Sequence, residues 1–188
     1  MLQGKRIAIL ATDGFEQSEL VEPLDRLRAA DADVKVVSLQ PGTIRGVRGR
    51  EWAEEVEVDA VVEDVSAEDF DALVLPGGLY NPDTLRQDEN AVQFVRDMFA
   101  AKKAIGAICH GPWMLAQANI LRNRKVTSYP SIRTDLTNAG ALWKDDEVVV
   151  DKGLVTSRTP EDLDAFCSKV IEETAEGRHE SRRVPEAA

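Results

Sequence analysis

The chain predicts an α/β fold with a mostly parallel central sheet, and three observations carry that prediction. Apolar runs of strand length alternate with longer segments of helical period. Several of the runs are almost continuously apolar, as strands are when helices cover both faces of the sheet. Turn chemistry, rich in Gly, Pro and Asp, closes the runs where a strand must end.

Lys5 to Ala11 (KRIAILA) reads as a central strand, with Thr12-Asp13-Gly14 as its turn. Leu20, Leu24 and Leu27 then recur at helical spacing between Gln17 and Ala30, with Pro23 a point where that helix kinks or distorts. Asp33 to Leu39 is the next strand. Pro41-Gly42 and Gly46 to Gly49 break the chain after it into short pieces, which predicts a hairpin, and the acidic, Val-rich stretch from Glu51 to Val65 reads as exposed extended chain. Phe70 to Leu75 returns to the buried-strand pattern and ends in Pro76-Gly77-Gly78. Asp88 to Ala101 places Val92, Val95 and Phe99 on one helical stripe, and Ala104 to Ile108 is again a strand. A helix starts near Gly111 and Pro112, since proline suits a first helical position, and runs through Gln117. Lys125 to Ser128, Glu147 to Val150 and Gly153 to Thr156 predict further strands, the last two joined by a tight turn at Asp151-Lys152-Gly153. Leu163, Phe166, Val170 and Ile171 make Pro160 to Thr174 a docked helix. Residues 1–174 therefore read as one domain, and the polar residues 175–188 as a flexible tail.

The bulk properties narrow the function. At 188 residues the chain has the size of one domain, and a hydrophobic fraction of 43% supports a packed core. A net charge of -11 repels phosphate backbones and anionic lipid, so neither nucleic acid nor a membrane is expected as a partner. Lys5 and Arg6 precede only about five apolar positions, too few for a signal h-region or a membrane span, which points to the cytoplasm. No nucleotide-binding glycine fingerprint, phosphate loop or metal-ligand cluster is present, and the expected chemistry needs no cofactor and no metal.

That chemistry centres on Cys109. In a parallel sheet, the loops after Ala11, Leu75 and Ile108 meet outside the carboxyl ends of the strands. Ala107-Ile108-Cys109-His110-Gly111-Pro112 sets a cysteine between an apolar strand and a helix start, with small residues two positions to either side, as a strained nucleophile elbow requires. Helix N-terminal amides favour a thiolate and are expected to lower the thiol from its reference pKa of about 8.5. A lone cysteine is more often a small buried hydrophobe; that description suits Cys167, inside an amphipathic helix beside Phe166, better than Cys109. His179 falls in the polar tail, which leaves His110 as the base within the folded body, unless its ring turns away and only packs or caps the turn. Gly77 and Gly78 either merely end a strand or join the His110 amide as an oxyanion hole. Glu16 is either a first-turn acid favoured by the helix dipole or a carboxyl buried against the sulfur, its pKa raised, donating a hydrogen bond to it.

These residues resemble the PfpI/ThiJ superfamily, most closely its PfpI branch of intracellular-protease-like proteins. The similarity runs from about Lys5 to Ile171, through Phe15-Glu16, Ala72 to Gly78, Ala107 to Pro112, Thr127-Ser128-Tyr129, Val148 to Asp151 and Ser157-Arg158. The resemblance implies a flavodoxin-like three-layer sandwich, with Cys109 as nucleophile, His110 as its partner and Glu16 as the acid touching the sulfur. It further implies that Asp83, at a position where the family often carries glutamate, orients the histidine across a subunit boundary; alternatively Asp83 caps the following helix. A homodimer at least, or a hexamer of dimers, follows from such a shared site. The implied activities are those of a stress-response cysteine hydrolase: peptidase, deglycase acting on aldehyde-modified proteins, or glyoxalase acting on small carbonyl substrates, all using one thiol nucleophile. A redox sensor or holdase using oxidation of Cys109 is the alternative from another class. A glutamine amidotransferase needs a downstream His and Glu in the folded body, and His179-Glu180 lacks that context.

Overall fold

The computed structural model of the chain describes residues 1–182. The reason for a layered sheet is visible in the first strand, β1 (Arg6–Leu10), whose alternate side chains enter two different cores. Ala8 and Leu10 pack on one face with Leu73, Leu75, Val95 and Phe99, while Ile7 and Ile9 pack on the other with Leu20, Leu27 and Phe166. From Ile7 to Leu10 the side chains alternate between two helical layers and all are buried, hence the apolar run that follows the exposed Arg6. Full burial of each such Ile or Leu stabilises the fold by about 1.5–3 kcal/mol.

Helix α1 (Gln17–Ala29) comes next, continuous through Pro23, and returns the chain to β2 (Asp33–Ser38), parallel to β1. β3 (Thr43–Arg48) and β4 (Glu51–Glu57) form an antiparallel hairpin standing apart from the main sheet, as the turn residues predict. β5 (Ala60–Val61) pairs parallel with β2, so the acidic stretch adds a two-residue edge to the sheet that the exposed-chain reading omits. β6 (Ala72–Leu75), α2 (Tyr80–Leu85), α3 (Glu89–Ala100), β7 (Ala104–Ile108) and α4 (Trp113–Gln117) complete the centre. β8 (Lys125–Val126), α5 (Arg133–Asn138) and β9 (Leu142–Trp143) form a small lobe in which β8 pairs with β9. β10 (Val148–Asp151) and β11 (Leu154–Ser157) then make a hairpin, and α6 (Leu163–Glu176) ends the domain.

The seven-stranded sheet has the order β10-β11-β7-β6-β1-β2-β5, parallel throughout except for β10. After β2 and β5 the chain crosses back to β6 on the other side of β1, so the strand order reverses between β1 and β6. Loops leaving those two strands diverge there and open a crevice at their carboxyl ends. Gly106 brings α6 down onto β7: a Cβ there would stand 2.7 Å from Val170 Cγ2 and 2.9 Å from Phe166 Cζ. Among the described residues, no helix is long and apolar enough to cross a membrane.

The flexible tail expected over 175–188 needs correction as far as Arg182. α6 continues to Glu176, and Gly177 at φ 87 turns the chain into a strap on the domain surface. The His179 amide donates to the Lys102 carbonyl at 2.8 Å, and the buried Arg182 guanidinium donates to the carbonyls of Lys103 at 2.7 Å and Phe99 at 3.2 Å. Polar composition hides this anchoring because the partners are backbone carbonyls, which have no sequence signature. The remainder of that expectation, residues 183–188, lies outside the described residues.

Candidate active site

The entirely buried β7 delivers its last residue, Ile108, to the top of the sheet, and Cys109 comes after it at φ 62. A left-handed conformation in a non-glycine residue costs about 1–3 kcal/mol and persists only where its surroundings impose it. Here they do. The Cys109 amide donates to the Ser157 carbonyl at 3.1 Å, its carbonyl accepts from the Tyr129 amide at 2.9 Å, and the Gly111 amide closes back on Ile108 at 2.8 Å. Gly111 is required, since a Cβ there would lie 2.4 Å from the Leu75 carbonyl oxygen. The elbow read from the sequence is therefore formed. Its sulfur sits at the base of a cleft of about 570 Å3, and Cys109 is only 8% exposed.

The glycine turn after β6 closes against both neighbouring loops. A Cβ on Gly77 would fall 2.6 Å from Cys109 Cβ and 2.5 Å from Glu19 Oε2, and one on Gly78 would fall 2.4 Å from the Gly14 carbonyl oxygen. Asn81 fixes this junction, donating to the carbonyls of Pro76 and Gly77 at 3.0 Å each and accepting from the Thr12 amide at 2.8 Å. The β3–β4 hairpin is bonded to the loop after β1: the Val47 amide donates to Phe15 O at 2.7 Å and the Gly14 amide to Arg45 O at 2.8 Å. That seam brings Val47, Gly49 and Arg50 to the cleft wall, opposite Leu79, Tyr80 and Tyr129.

The acid at the sulfur is Glu19, which corrects the expectation for Glu16. Glu16 precedes the first turn of α1, lines the cleft half-buried, and accepts from Ser18 Oγ at 3.4 Å. One turn later Glu19 is fully buried, takes the Gly77 amide on Oε2 at 2.9 Å, and interacts with the Cys109 thiol. Burial pushes its carboxyl up to about 8, with the nearby Glu16 charge adding to the rise and the Gly77 amide opposing it. A signal for Glu19 exists: Glu19, Pro23 and Leu27 succeed one another at four-residue spacing, so this acid lies on the buried stripe of α1.

The expected low thiol pKa is also corrected. Burial raises the Cys109 thiol, and the Glu19 charge raises it further, while the backbone amides of Gly78 and His110 pull the other way. Desolvation prevails because the sulfur is buried and the helix beyond it has only five residues to contribute a dipole. Carboxyl and thiol are buried side by side, and a negative charge on either disfavours one on the other. With Glu19 protonated, its charge no longer opposes loss of the thiol proton, and its O–H is a donor toward sulfur.

His110 lies half-buried with Nδ1 3.2 Å from Cys109 Sγ and Nε2 3.1 Å from Ser131 Oγ. Its ring stacks on Tyr129 at 4.8 Å between centroids and meets Trp113 edge-on at 5.2 Å. Burial lowers its pKa, which keeps the imidazole neutral and able to accept a proton. Of the three amides read as an oxyanion hole, those of Gly78 and His110 face the sulfur, whereas that of Gly77 is committed to Glu19. Asp83 is exposed on α2, and within this chain its carboxylate pairs with Arg86 at 3.6 Å while Ser131 stands at the imidazole. Neither Ser131 nor Glu19 is among the site residues expected from the sequence.

Cys167 faces the core from α6, where burial pushes its thiol up to about 12, with Arg26 opposing that rise and Glu22 and Asp164 adding to it. Among the described residues, Glu173, Glu176 and His179 present metal-type ligand atoms within 4.8 Å of one another. They lie at the other end of β7, where His179 already contacts Glu173 at 3.5 Å.

Residues 5–173 match the family described as DJ-1/PfpI. The chain belongs to the DJ-1/PfpI family. Within it, the chain is 47% identical over 164 residues to General stress protein 18 of Bacillus subtilis, covering 87% of this chain and 94% of that protein. It is 47% identical over 163 residues to Protein/nucleic acid deglycase 2 of Escherichia coli (86% and 93%), and 42% identical over 166 residues to Deglycase PfpI of Pyrococcus furiosus (88% and 97%). Among solved structures, Drosophila melanogaster DJ-1beta superposes with a TM-score of 0.81 at 28% identity, covering 92% of this chain and 94% of that one. A two-domain Anabaena variabilis protein with DJ-1/ThiJ/PfpI-like and ferritin-like domains reaches 0.86 at 33% identity, covering 97% of this chain, which spans half of that protein. The flavodoxin-like DJ-1/PfpI sandwich expected from the sequence is the fold observed.

Proposed function

We propose that this DJ-1/PfpI protein is a stress-response deglycase that uses Cys109 as a nucleophile against aldehyde-derived adducts on amines or thiols. The observation that carries the reading is the 3.2 Å approach of His110 Nδ1 to a sulfur held on a strained elbow beside the buried Glu19. The names of the related deglycases support the substrate class. In this reading the thiol proton passes to Nδ1 and Sγ attacks the adduct carbon that carries both the hydroxyl and the amine or thiol, the new C–Sγ bond replacing the C–N or C–S bond to the modified group. The amides of Gly78 and His110, which face the sulfur, are donors toward the oxygen of an adduct held there. The displaced amine or thiol leaves with the proton from His110, and water then releases the sulfur. Nothing in these steps calls for a cofactor.

The cleft suits small adducts. Its volume of about 570 Å3 is closed on one side by the β3–β4 hairpin and on the other by Leu79 and Tyr80. A broad peptidase or a glyoxalase acting on free aldehyde would use the same sulfur. Purified protein incubated with a methylglyoxal-modified lysine or cysteine peptide should release the free amine or thiol, and Cys109→Ser should not; equal rates in the two proteins sink the proposal.

A second reading is oxidation sensing. A protonated Glu19 and two backbone amides facing Cys109 are donors suited to a sulfur that acquires oxygen atoms. Peroxide titration combined with mass spectrometry separates the readings, since selective oxidation of Cys109 in a protein without turnover favours the sensor. As a partner we propose a second copy of this chain, with the exposed Asp83 reaching the neighbouring site; the support is the position of Asp83 in the family pattern.

A further inference from the structure

We infer that Glu173, Glu176 and His179 form a binding site for one divalent ion of the zinc class, which clamps the strap after α6 to the domain at the end of β7 away from Cys109. The inference is independent of the cysteine chemistry proposed above. Glu173 and Glu176 stand three residues apart on α6, which places them on one face of the helix. Gly177, at φ 87, turns the chain behind them, and the His179 amide is then held by the Lys102 carbonyl at 2.8 Å. The turn returns the imidazole to the two carboxylates, and the three candidate ligand atoms lie within 4.8 Å of one another.

The contacts of the ring direct its free nitrogen at a carboxylate. Nε2 lies 3.1 Å from the carbonyl oxygen of Glu173, one of the last four carbonyls of α6. A carbonyl only accepts, so the proton in this bond is on Nε2. In the neutral ring Nδ1 then carries a lone pair, and it faces Glu173 Oε2 at 3.5 Å, acceptor to acceptor. His179 is 9% and Glu173 7% exposed, and two buried acceptors that face each other are costly unless a cation or a proton lies between them. Giving the other ring N–H to a backbone carbonyl is also how metal-binding histidines are oriented. Ligand atoms about 2.0–2.2 Å from a tetrahedral zinc stand about 3.3–3.6 Å apart, the spacing found between Nδ1 and Oε2. The exposed Glu176 closes the set from one helical turn away, and a fourth position is left for water.

The surroundings hold this pair in place. The imidazole lies against Gly153, where a Cβ would fall 2.5 Å from His179 Cγ, and the Gly153 amide bonds to the Glu173 carboxyl. Neighbouring cations have other partners: Lys102 pairs with Glu180 at 2.6 Å, Lys152 donates to the Ser181 carbonyl at 3.3 Å, and Arg182 donates to the carbonyls of Phe99 and Lys103. An imidazole among carboxylates suits zinc, whereas magnesium and calcium prefer oxygen ligands alone. The net charge of -11 draws cations to the chain.

The test titrates Zn2+ into chelator-stripped, full-length protein carrying Cys109→Ser, so that the cleft sulfur does not compete. One ion should bind per chain, raise the urea midpoint, and move the imidazole 15N signals of His179, identified by their loss in His179→Ala. Adding Glu176→Gln should weaken binding about tenfold or more, and His179→Ala should weaken it further. His179→Ala also vacates the packing against Gly153, so the exposed Glu176→Gln carries the decision. Excess Mg2+ or Ca2+ should not displace the zinc. The inference is overturned if no zinc binds, which leaves a proton shared between His179 and Glu173, or if Glu176→Gln binds as tightly as its parent. It is equally overturned if Mg2+ competes on even terms, the mark of an adventitious ion only, or if zinc moves the signals of His110 instead. Loss of deglycase turnover bears on the proposed function and leaves each of these readouts intact.

Discussion

The two ends of the parallel sheet are built on opposite terms. At the carboxyl end, Cys109 is held in a left-handed conformation, Glu19 is buried with its pKa raised to about 8, and Gly77, Gly78 and Gly111 let three loops approach closer than any side chain would allow. At the amino end, the strap after α6 places its buried polar groups against ready partners: Arg182 against the carbonyls of Phe99 and Lys103 and over the Phe99 ring at 4.4 Å, and His179 between Lys102 and Glu173. Left-handed residues occur at both ends, Lys102 and Lys152 beside the strap and Cys109 at the elbow, and burial raises Glu173 as it raises Glu19; what differs is that the carboxyl end sets these groups around an open cleft. The contrast places reactivity at the cleft and anchoring at the strap, a division that substitutions at either end can break.

The largest effect is expected at the sulfur. Cys109→Ser should lower turnover of the methylglyoxal-modified peptide on the order of a thousandfold or more, since a nucleophile has no substitute in its site. Unfolding by urea should remain near the wild-type midpoint. Cys167→Ser, at the second buried thiol, should leave kcat within about twofold; a comparable loss there would break the distinction between the two cysteines.

Next comes the stored proton. A carboxyl whose folded pKa is raised from 4.5 to about 8 favours the folded state fully below its unfolded pKa, and that stabilisation is lost as pH rises through 8. The wild type should therefore lose up to a few kcal/mol between about pH 4.5 and 8 that Glu19→Gln does not lose. Thermal melts of both proteins across that range measure the difference. Parallel curves would mean that Glu19 is no more proton-hungry when folded than when unfolded.

Much of this architecture is legible because parallel strands and elbows leave period and punctuation in the chain. The apolar run Ile7 to Leu10 and the break at Cys109-His110-Gly111 lie in the structure where the sequence pattern puts them. Two short helices are not legible, in contrast to α4, which Gly111-Pro112 announces: α2 begins Tyr80-Asn81-Pro82, and α5 is six residues long, too brief for a helical stripe to show. Glu16 stands out over Glu19 in the sequence because the former adjoins the turn after β1, while the latter reaches the sulfur only because α1 winds one turn further across the cleft floor. Ser131 escapes notice for a related reason. It lies 21 positions from His110 in the chain, and the two segments meet through the hydrogen bond from the Tyr129 amide to the Cys109 carbonyl, the Tyr129–His110 stack and the Trp113–Asp135 bond.

The finest test of the comparison lies in the strap. Arg182→Met keeps an unbranched stem near the Phe99 ring but removes the guanidinium that serves the Phe99 and Lys103 carbonyls. Losing charge-assisted bonds to buried acceptors should lower stability by about 1–3 kcal/mol, read as a shift in the urea midpoint. The rate of iodoacetamide alkylation at Cys109 should stay within about twofold of the wild type, because the strap meets Lys102 and Lys103, in the turn that precedes β7, and the elbow leaves from the last residue of β7. β7 joins the two ends rigidly, buried at all five residues and paired on both sides. A strand so fixed can lose an anchor at its start without transmitting movement to its end. If alkylation instead accelerates in proportion to the lost stability, then the left-handed turn at Cys109 is maintained by the whole domain, and the division between a reactive end and an anchoring end must be given up.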